Sequence, residues 1–176
     1  MFGEARTAHF SSERDYRYLL RIIWDVNLPR MQCIGLNPST ADEYQDDPTL
    51  RRVKGFARSW GYGGIEMTNL FAFRATDPRK MMARIRPIGE ILAGNNDGLT
   101  NSNDLWITQT RKACDFCLCA WGTKGSFMDR DTAVVKLLKP LGDLHCLNLT
   151  SGGFPQHPLY VAGKTTPIRF DFPDSI

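Results

Sequence analysis

Met31-Gln32-Cys33-Ile34-Gly35-Leu36-Asn37-Pro38-Ser39 is the stretch whose reading decides the fold. The apolar run from Met31 to Leu36 stops abruptly at Asn37-Pro38, because proline lacks the N–H that a central strand requires. A polar loop follows, and then a helix signal: Asp47 suits the N-cap and Pro48 the first helical position. Leu50, Val53, Phe56, Ala57 and Trp60 recur at helical spacing, and Gly61 is placed to end the helix. A buried strand, a sharp polar turn and an amphipathic helix open a β-α unit.

The alternation continues downstream. Ile65 to Phe71 reads as a strand, about Asn96 to Ala113 as a helix, and Phe116 to Trp121 as a strand. A helix from Asp129 to Leu141 and a strand from Leu144 to Leu149 complete the series. This order predicts an α/β fold with a mainly parallel central sheet and helices on both faces. Upstream, Tyr16 to Trp24 reads as a strand with Tyr18, Leu20, Ile22 and Trp24 on one face and Arg17 and Arg21 on the other. It is expected to form an N-terminal antiparallel edge. Residues 1–15 are expected to be a poorly ordered start that contains His9. With no repeat, linker or low-complexity tract, residues 1–176 read as a single α/β domain.

Bulk properties narrow the functional classes. Hydrophobic residues at 42% and charged residues at 23% fit a packed globular chain rather than a disordered one. No run approaches the roughly 20 apolar residues that span a bilayer, and the N-terminus lacks a signal-peptide core. The expectation is a cytoplasmic protein with no membrane partner. The five cysteines are odd in number and lie mostly in apolar runs. Cys114, Cys117 and Cys119 therefore read as small core side chains rather than ligands of a metal or cluster. The net charge of +3 permits nucleic-acid binding without arguing for it.

In a sheet of this kind ligands bind beyond the carboxyl ends of the parallel strands. Residues 37–47, 69–77, 121–127 and 150–160 are thereby expected to converge. The first of these loops combines the amide of Asn37 with Pro38, the hydroxyls of Ser39 and Thr40, and the carboxylates of Asp42 and Asp46. An amide can position a water but cannot take its proton, so Asp42 or Asp46 is the expected acceptor. Asn69 sits in an apolar strand, where an unpaired amide is costly, so backbone or ligand must satisfy it. Its donor and acceptor suit the edge of a nucleobase. Phe71 follows, and Arg74 with Asp77 reads either as a salt bridge or as a phosphate clamp. The last loop delivers His157 at the tip of a glycine- and proline-rich path, followed by Tyr160, whereas His145 reads as a packing residue within a strand. Basic groups at Arg51, Arg52, Lys54 and Arg58, and at Arg79, Lys80, Arg84 and Arg86, are either solvated helix faces or phosphate cradles.

These residues resemble a bacterial and phage family, the domain of unknown function 1643. The signature stands as Leu36-Asn37-Pro38-Ser39-Thr40-Ala41-Asp42, Asp46-Asp47-Pro48-Thr49 with Arg52, and Asn69-Leu70-Phe71-Ala72. It continues as Arg74-Ala75-Thr76-Asp77-Pro78, Asn96-Asp97, Trp121-Gly122 and His157-Pro158-Leu159-Tyr160. The order of three short motifs is also similar to that of the uracil-DNA glycosylase superfamily. Gly35-Leu36-Asn37-Pro38 looks like its water-positioning motif, Asn69 falls where its base-reading Asn lies, and His157-Pro158 looks like the start of its leaving-group motif. Ser39-Thr40-Ala41 and Leu159-Tyr160 depart from the continuations of those motifs.

That resemblance implies a three-layer αβα sandwich and hydrolysis of an N-glycosidic bond of a nucleobase or modified base in nucleic acid. Asn37 with Asp42 or Asp46 would position and activate water, Asn69 would read the base, and His157 would stabilise its departure. Pro38, Ser39, Phe71, Arg74, Asp77 and Tyr160 would complete the substrate site, with Thr40 and Arg52 toward phosphate. No cofactor or metal is implied. Two other readings stand beside it. One is a hydrolase or transferase of free nucleotides, with phosphate on Arg52 and Arg74 and Mg²⁺ on Asp42 or Asp46. The other is a nucleic-acid-binding module without catalysis.

Overall fold

The structure, a computed structural model, describes residues 3–92 and 101–172. Its strands are β1 (Ala5–Phe10), β2 (Arg17–Ile23), β3 (Arg30–Gly35), β4 (Gly64–Asn69), β5 (Phe116–Cys119), β6 (His145–Cys146) and β7 (Ile168–Arg169). The helices are α1 (Pro48–Ser59), α2 (Pro78–Met82), α3 (Ser102–Ala113) and α4 (Arg130–Leu138). All strands join one seven-stranded sheet in the order β1-β2-β4-β3-β5-β6-β7.

The strands expected to be parallel, β4, β3, β5 and β6, do run parallel and lie side by side. Antiparallel pairs flank them on both sides, β1-β2-β4 on one and β6-β7 on the other, so the sheet is mixed rather than mainly parallel. Two expectations about the N-terminus are corrected here. Residues 5–10 form β1 instead of an unordered start, and β1 displaces β2 from the edge. β2 has neighbours on both sides and is buried along most of its length; Arg17 lies inside, whereas Arg21 on the same strand stays partly exposed.

Packing on the sheet follows the apolar periodicity. Leu50, Val53, Phe56 and Ala57 of α1 seat against Leu20, Ile22, Met31, Cys33, Ile65 and Met67. A second cluster joins Ile107 of α3 and Val134, Val135 and Leu138 of α4 to Ile34, Cys117, Cys119 and Cys146. The five cysteines are free and buried, as their apolar settings predict. His145 stacks on Phe116 with ring centres 4.3 Å apart, the packing role expected of it. α3 begins at Ser102, capped by Asn101, later than the expected start near Asn96, which lies outside the described residues.

The end of β4 is held from outside the sheet. Asn103 Nδ2 donates to the carbonyls of Asn69 and Leu70 at 2.9 and 3.0 Å, and Arg130 Nε donates to Leu70 O at 2.7 Å. Arg130 is itself paired with Asp104 of α3, and both side chains are almost wholly shielded from water. Removing one partner of a buried ion pair strands the other charge. Asp104→Ala is therefore expected to lower the unfolding free energy by about 3–5 kcal/mol, read from urea denaturation at constant m-value.

Candidate functional site

The register of the parallel strands brings their carboxyl ends level: Gly35 lies opposite Asn69, and Ile34 opposite Cys119. The chain leaves β3 toward β4 on one side, then crosses to β5 on the other. The adjoining crevice is where a doubly wound sheet takes ligands. A cleft of about 540 Å³ opens there, of a size that holds a nucleotide-sized ligand. The four expected loops do converge on it, contributing Asn37 and Ser39, Asn69 and Thr76, Trp121 to Lys124, and Gln156, His157 and Tyr160.

Asn69 is 3% exposed, and its Nδ2 is buried with no hydrogen-bond partner. Its backbone carbonyl already accepts from Asn103, whereas the side-chain amide nitrogen has no partner. Gly35 makes that position sterically tenable: a Cβ there would stand 2.8 Å from Asn69 Oδ1. Asn37 Nδ2 donates to the carbonyls of Ala75 at 2.8 Å and Pro38 at 3.1 Å, tying the first loop to the second. That use of the amide nitrogen leaves the Asn37 oxygen as the group able to accept from water. Pro38 is buried behind the loop, and its carbonyl also accepts from the Ala75 N–H.

His157 is half-buried, and its Nδ1 accepts from the Leu159 N–H at 3.3 Å. A neutral ring with Nδ1 accepting carries its proton on Nε2. Burial pushes the His157 pKa below 6.5, and the negative charge of Asp47 only partly opposes this. The imidazole is thus a neutral donor at pH 7. Tyr160 leans over it at the rim, with ring centres 5.7 Å apart, and is 77% exposed.

Several expected site residues serve elsewhere. Asp42 turns away from the cleft to accept from the amides of Tyr44 and Gln45 at 2.9 and 3.0 Å. Burial opposes ionisation of Asp42, but these amides outweigh it and hold the carboxyl below 3.8. Asp46 is clasped by Arg6 at 2.7 Å and Lys54 at 2.8 Å, likewise outside the cleft lining. Arg52 donates to the carbonyls of Pro158 and Val161, so it anchors the His157 loop to α1 instead of meeting phosphate. Thr40 is exposed and Phe71 is fully buried in the core, and neither lines the cleft.

Asp77 caps α2 and pairs with Arg79 rather than Arg74; the Arg79 hydrogen bond holds its carboxyl down at about 2. Arg74 lies over Phe10 and lines a neighbouring groove with Lys80 and Arg84.

In place of Asp42 and Asp46, Asp47 is the carboxylate that lines the cleft. Its Oδ1 caps α1 through the Leu50 N–H at 2.7 Å, the role its sequence position announces. Arg17, Lys124 and Gln156 also line the cleft without having been singled out in the sequence. Lys124 and Gln156 stand on loops expected to converge, and the signal for Arg17 was its position at the first residue of an antiparallel strand, the end that meets the carboxyl ends of parallel neighbours. Among the described residues, no cluster of three or more His, Cys, Asp or Glu is placed to hold a metal ion, and no helix is long and apolar enough to cross a membrane.

Two measurements test this geometry. Adding a methyl at Gly35 displaces only the end of a side chain, so Gly35→Ala is expected to change stability by under about 1 kcal/mol. A crystal structure of that variant is expected to show Asn69 in another rotamer; an unmoved Asn69 refutes the close contact. For His157, a depressed pKa means the folded chain binds this proton less readily than the unfolded one. Its stability contribution is complete above pH 6.5 and falls as pH drops below that value. An NMR titration is expected to place the His157 midpoint below 6.5, and His157→Gln is expected to flatten that segment of the stability profile.

The model of a family described as "Protein of unknown function (DUF1643)" matches residues 17–159, from the start of β2 to the His157 loop. No curated protein and no solved structure matches the chain. The matched segment carries Asn37, Asp47, Asn69, Trp121 and His157 of the cleft; the Asn96-Asp97 pair of the signature lies outside the described residues. The chain belongs to the DUF1643 family.

Proposed function

We propose that this protein is a hydrolase that cleaves the N-glycosidic bond of a nucleobase or modified base in nucleic acid, on a three-layer framework of the uracil-DNA glycosylase kind. The observation that carries the reading is the buried, unpartnered amide of Asn69 in a cleft shared with a neutral histidine and a carboxylate. An amide offers one donor and one acceptor to the edge of a base. Leaving such a group unsatisfied costs roughly 1–3 kcal/mol, which a bound base repays.

In this reading the C1′–N bond breaks and its electron pair leaves with the base. Negative charge builds on a base oxygen, where the Nε2–H of His157 stabilises it. Positive charge on the sugar is met by water. The free oxygen of Asn37 orients that water and Asp47, rather than Asp42 or Asp46, takes its proton. The proton taken by Asp47 returns through solvent to the departed base, so the products are a free base and an abasic sugar carrying the water's hydroxyl at C1′. Leu159 and Tyr160, 45% and 77% exposed at the rim, supply the apolar surface that fills a duplex when a base is flipped out.

Incubation with oligonucleotides carrying uracil, mismatched and modified bases is expected to yield abasic sites from at least one substrate. His157→Ala, which removes one donor to the departing base, is expected to slow this by about 10²–10³-fold. Asp47→Asn retains a capping side chain, so it is expected to keep the melting temperature while losing activity. Unchanged activity in both variants removes these residues from the mechanism, and no abasic product from any substrate refutes the reading.

A further inference from the structure

Arg17 has no part in breaking the glycosidic bond, yet it occupies a costly place. It is 3% exposed and lines the cleft. Its Nη1 donates to the carbonyl of Ala41, and its Nε is buried with no partner. No carboxylate lies within ion-pair distance of it among the described residues, whereas the equally buried Arg130 is paired with Asp104. Burial lowers its pKa to about 10, with Asp47 pulling the other way, so it remains a cation at pH 7. A buried charge without a counter-charge is unfavourable unless something supplies one.

The surroundings suit an anion. α1 has twelve residues, and its first turn borders the cleft through Thr49 and Leu50. Pro48 has no N–H and Asp47 occupies that of Leu50, which leaves the Thr49 N–H at the positive end of the helix. Ser39 adds a hydroxyl on the same lining. Two lining residues, Arg17 and Asn69, hold buried N–H groups without acceptors. A cleft whose unmet groups are donors selects a ligand rich in acceptor oxygens.

We propose that Arg17, with the Thr49 N–H and the Ser39 hydroxyl, binds a phosphate group attached to the sugar of the nucleoside whose base reaches Asn69. The nucleoside half of this statement rests on the glycosidic reading; the anion site does not. Phosphates along the outside of a duplex meet exposed cations. A guanidinium this deeply placed meets only a phosphate carried into the cleft, on a mononucleotide or on a flipped nucleotide. Asp47 faces that phosphate with like charge, so neutralising it favours the anion.

The test is titration of the full chain with inorganic phosphate, followed by the Nε–Hε resonance of Arg17 and by thermal unfolding. Phosphate is expected to shift that resonance and raise the Tm, Arg17→Gln to abolish the Tm response, and Asp47→Asn to strengthen it. Deoxyuridine 5′-monophosphate is expected to bind about tenfold or more tighter than deoxyuridine, a preference lost in Arg17→Gln. Arg17→Lys, which keeps the charge and loses the fork, is expected to retain part of it and serves if Arg17→Gln does not fold.

Parallel titrations with the monophosphate and with an end-blocked oligonucleotide identify whether a monoester or a backbone diester fills the site; Arg17-dependent binding of either upholds it. An unperturbed Arg17 resonance, or a phosphate response intact in Arg17→Gln, overturns it. Phosphate binding without base release keeps this site and rejects the glycosidic reading, and base release without a phosphate response does the reverse.

Discussion

The capture of the carbonyls at the end of β4 is the constraint on which the site depends. Leu70 O accepts from Arg130 and Asn103 together, and Asn69 O accepts from Asn103. On the opposite side, the amides of Leu70 and Phe71 donate to the carbonyls of Gly35 and Leu36, extending the ladder past the last residue of β4. The backbone around Asn69 is thereby held on both flanks, on one by the β3 carbonyls and on the other by Asn103 and the buried Arg130–Asp104 pair. Only such a rigid setting keeps an unpartnered amide in place, since a mobile strand end would turn it toward water or a neighbouring carbonyl.

Other polar residues at the cleft divide their atoms between holding the loops and facing the cleft. Asn37 uses its nitrogen to join the first two loops, and its oxygen remains for the cleft. Asp47 uses one oxygen to start α1. His157 accepts from its own loop at Nδ1, which fixes the tautomer that presents Nε2–H. Arg52 stands behind that loop and fastens the Pro158 and Val161 carbonyls to α1. Preorganisation comes from this division, because each functional atom is oriented by a bond made by its neighbour.

Much of this architecture was legible in the chain. The Pro38 stop, the helical spacing from Leu50 to Ala57 and the buried runs at β4 and β5 located the parallel strands and the loops beyond them. The convergence of Asn37, Ser39, Asn69, His157 and Tyr160 followed from topology alone. β1 was missed because its alternation is carried by Ala5, Arg6, Thr7, Ala8, His9 and Phe10, most of them small or polar, and its face is only half covered. β6 was read too long. Beyond Cys146 the chain bonds back to its own loop, with Gln156 N donating to Asn148 O, rather than to a strand.

The order of the four parallel strands and of α1, α3 and α4, the buried cysteines and the loops that meet at the sheet edge are properties of the sequence itself, because periodicity and proline placement act locally. The assignment of the charged residues was settled only by tertiary structure. Asp42, Asp46 and Asp47 are near neighbours in sequence, yet one caps a turn, one joins an ion-pair cluster and one enters the cleft. Arg17 was read only as lying opposite the apolar face of its strand, and the fold sets it inside the cleft, donating to the carbonyl of Ala41. A charge is placed by the long-range partners that offset its burial, and those partners are invisible until the chain has folded around them.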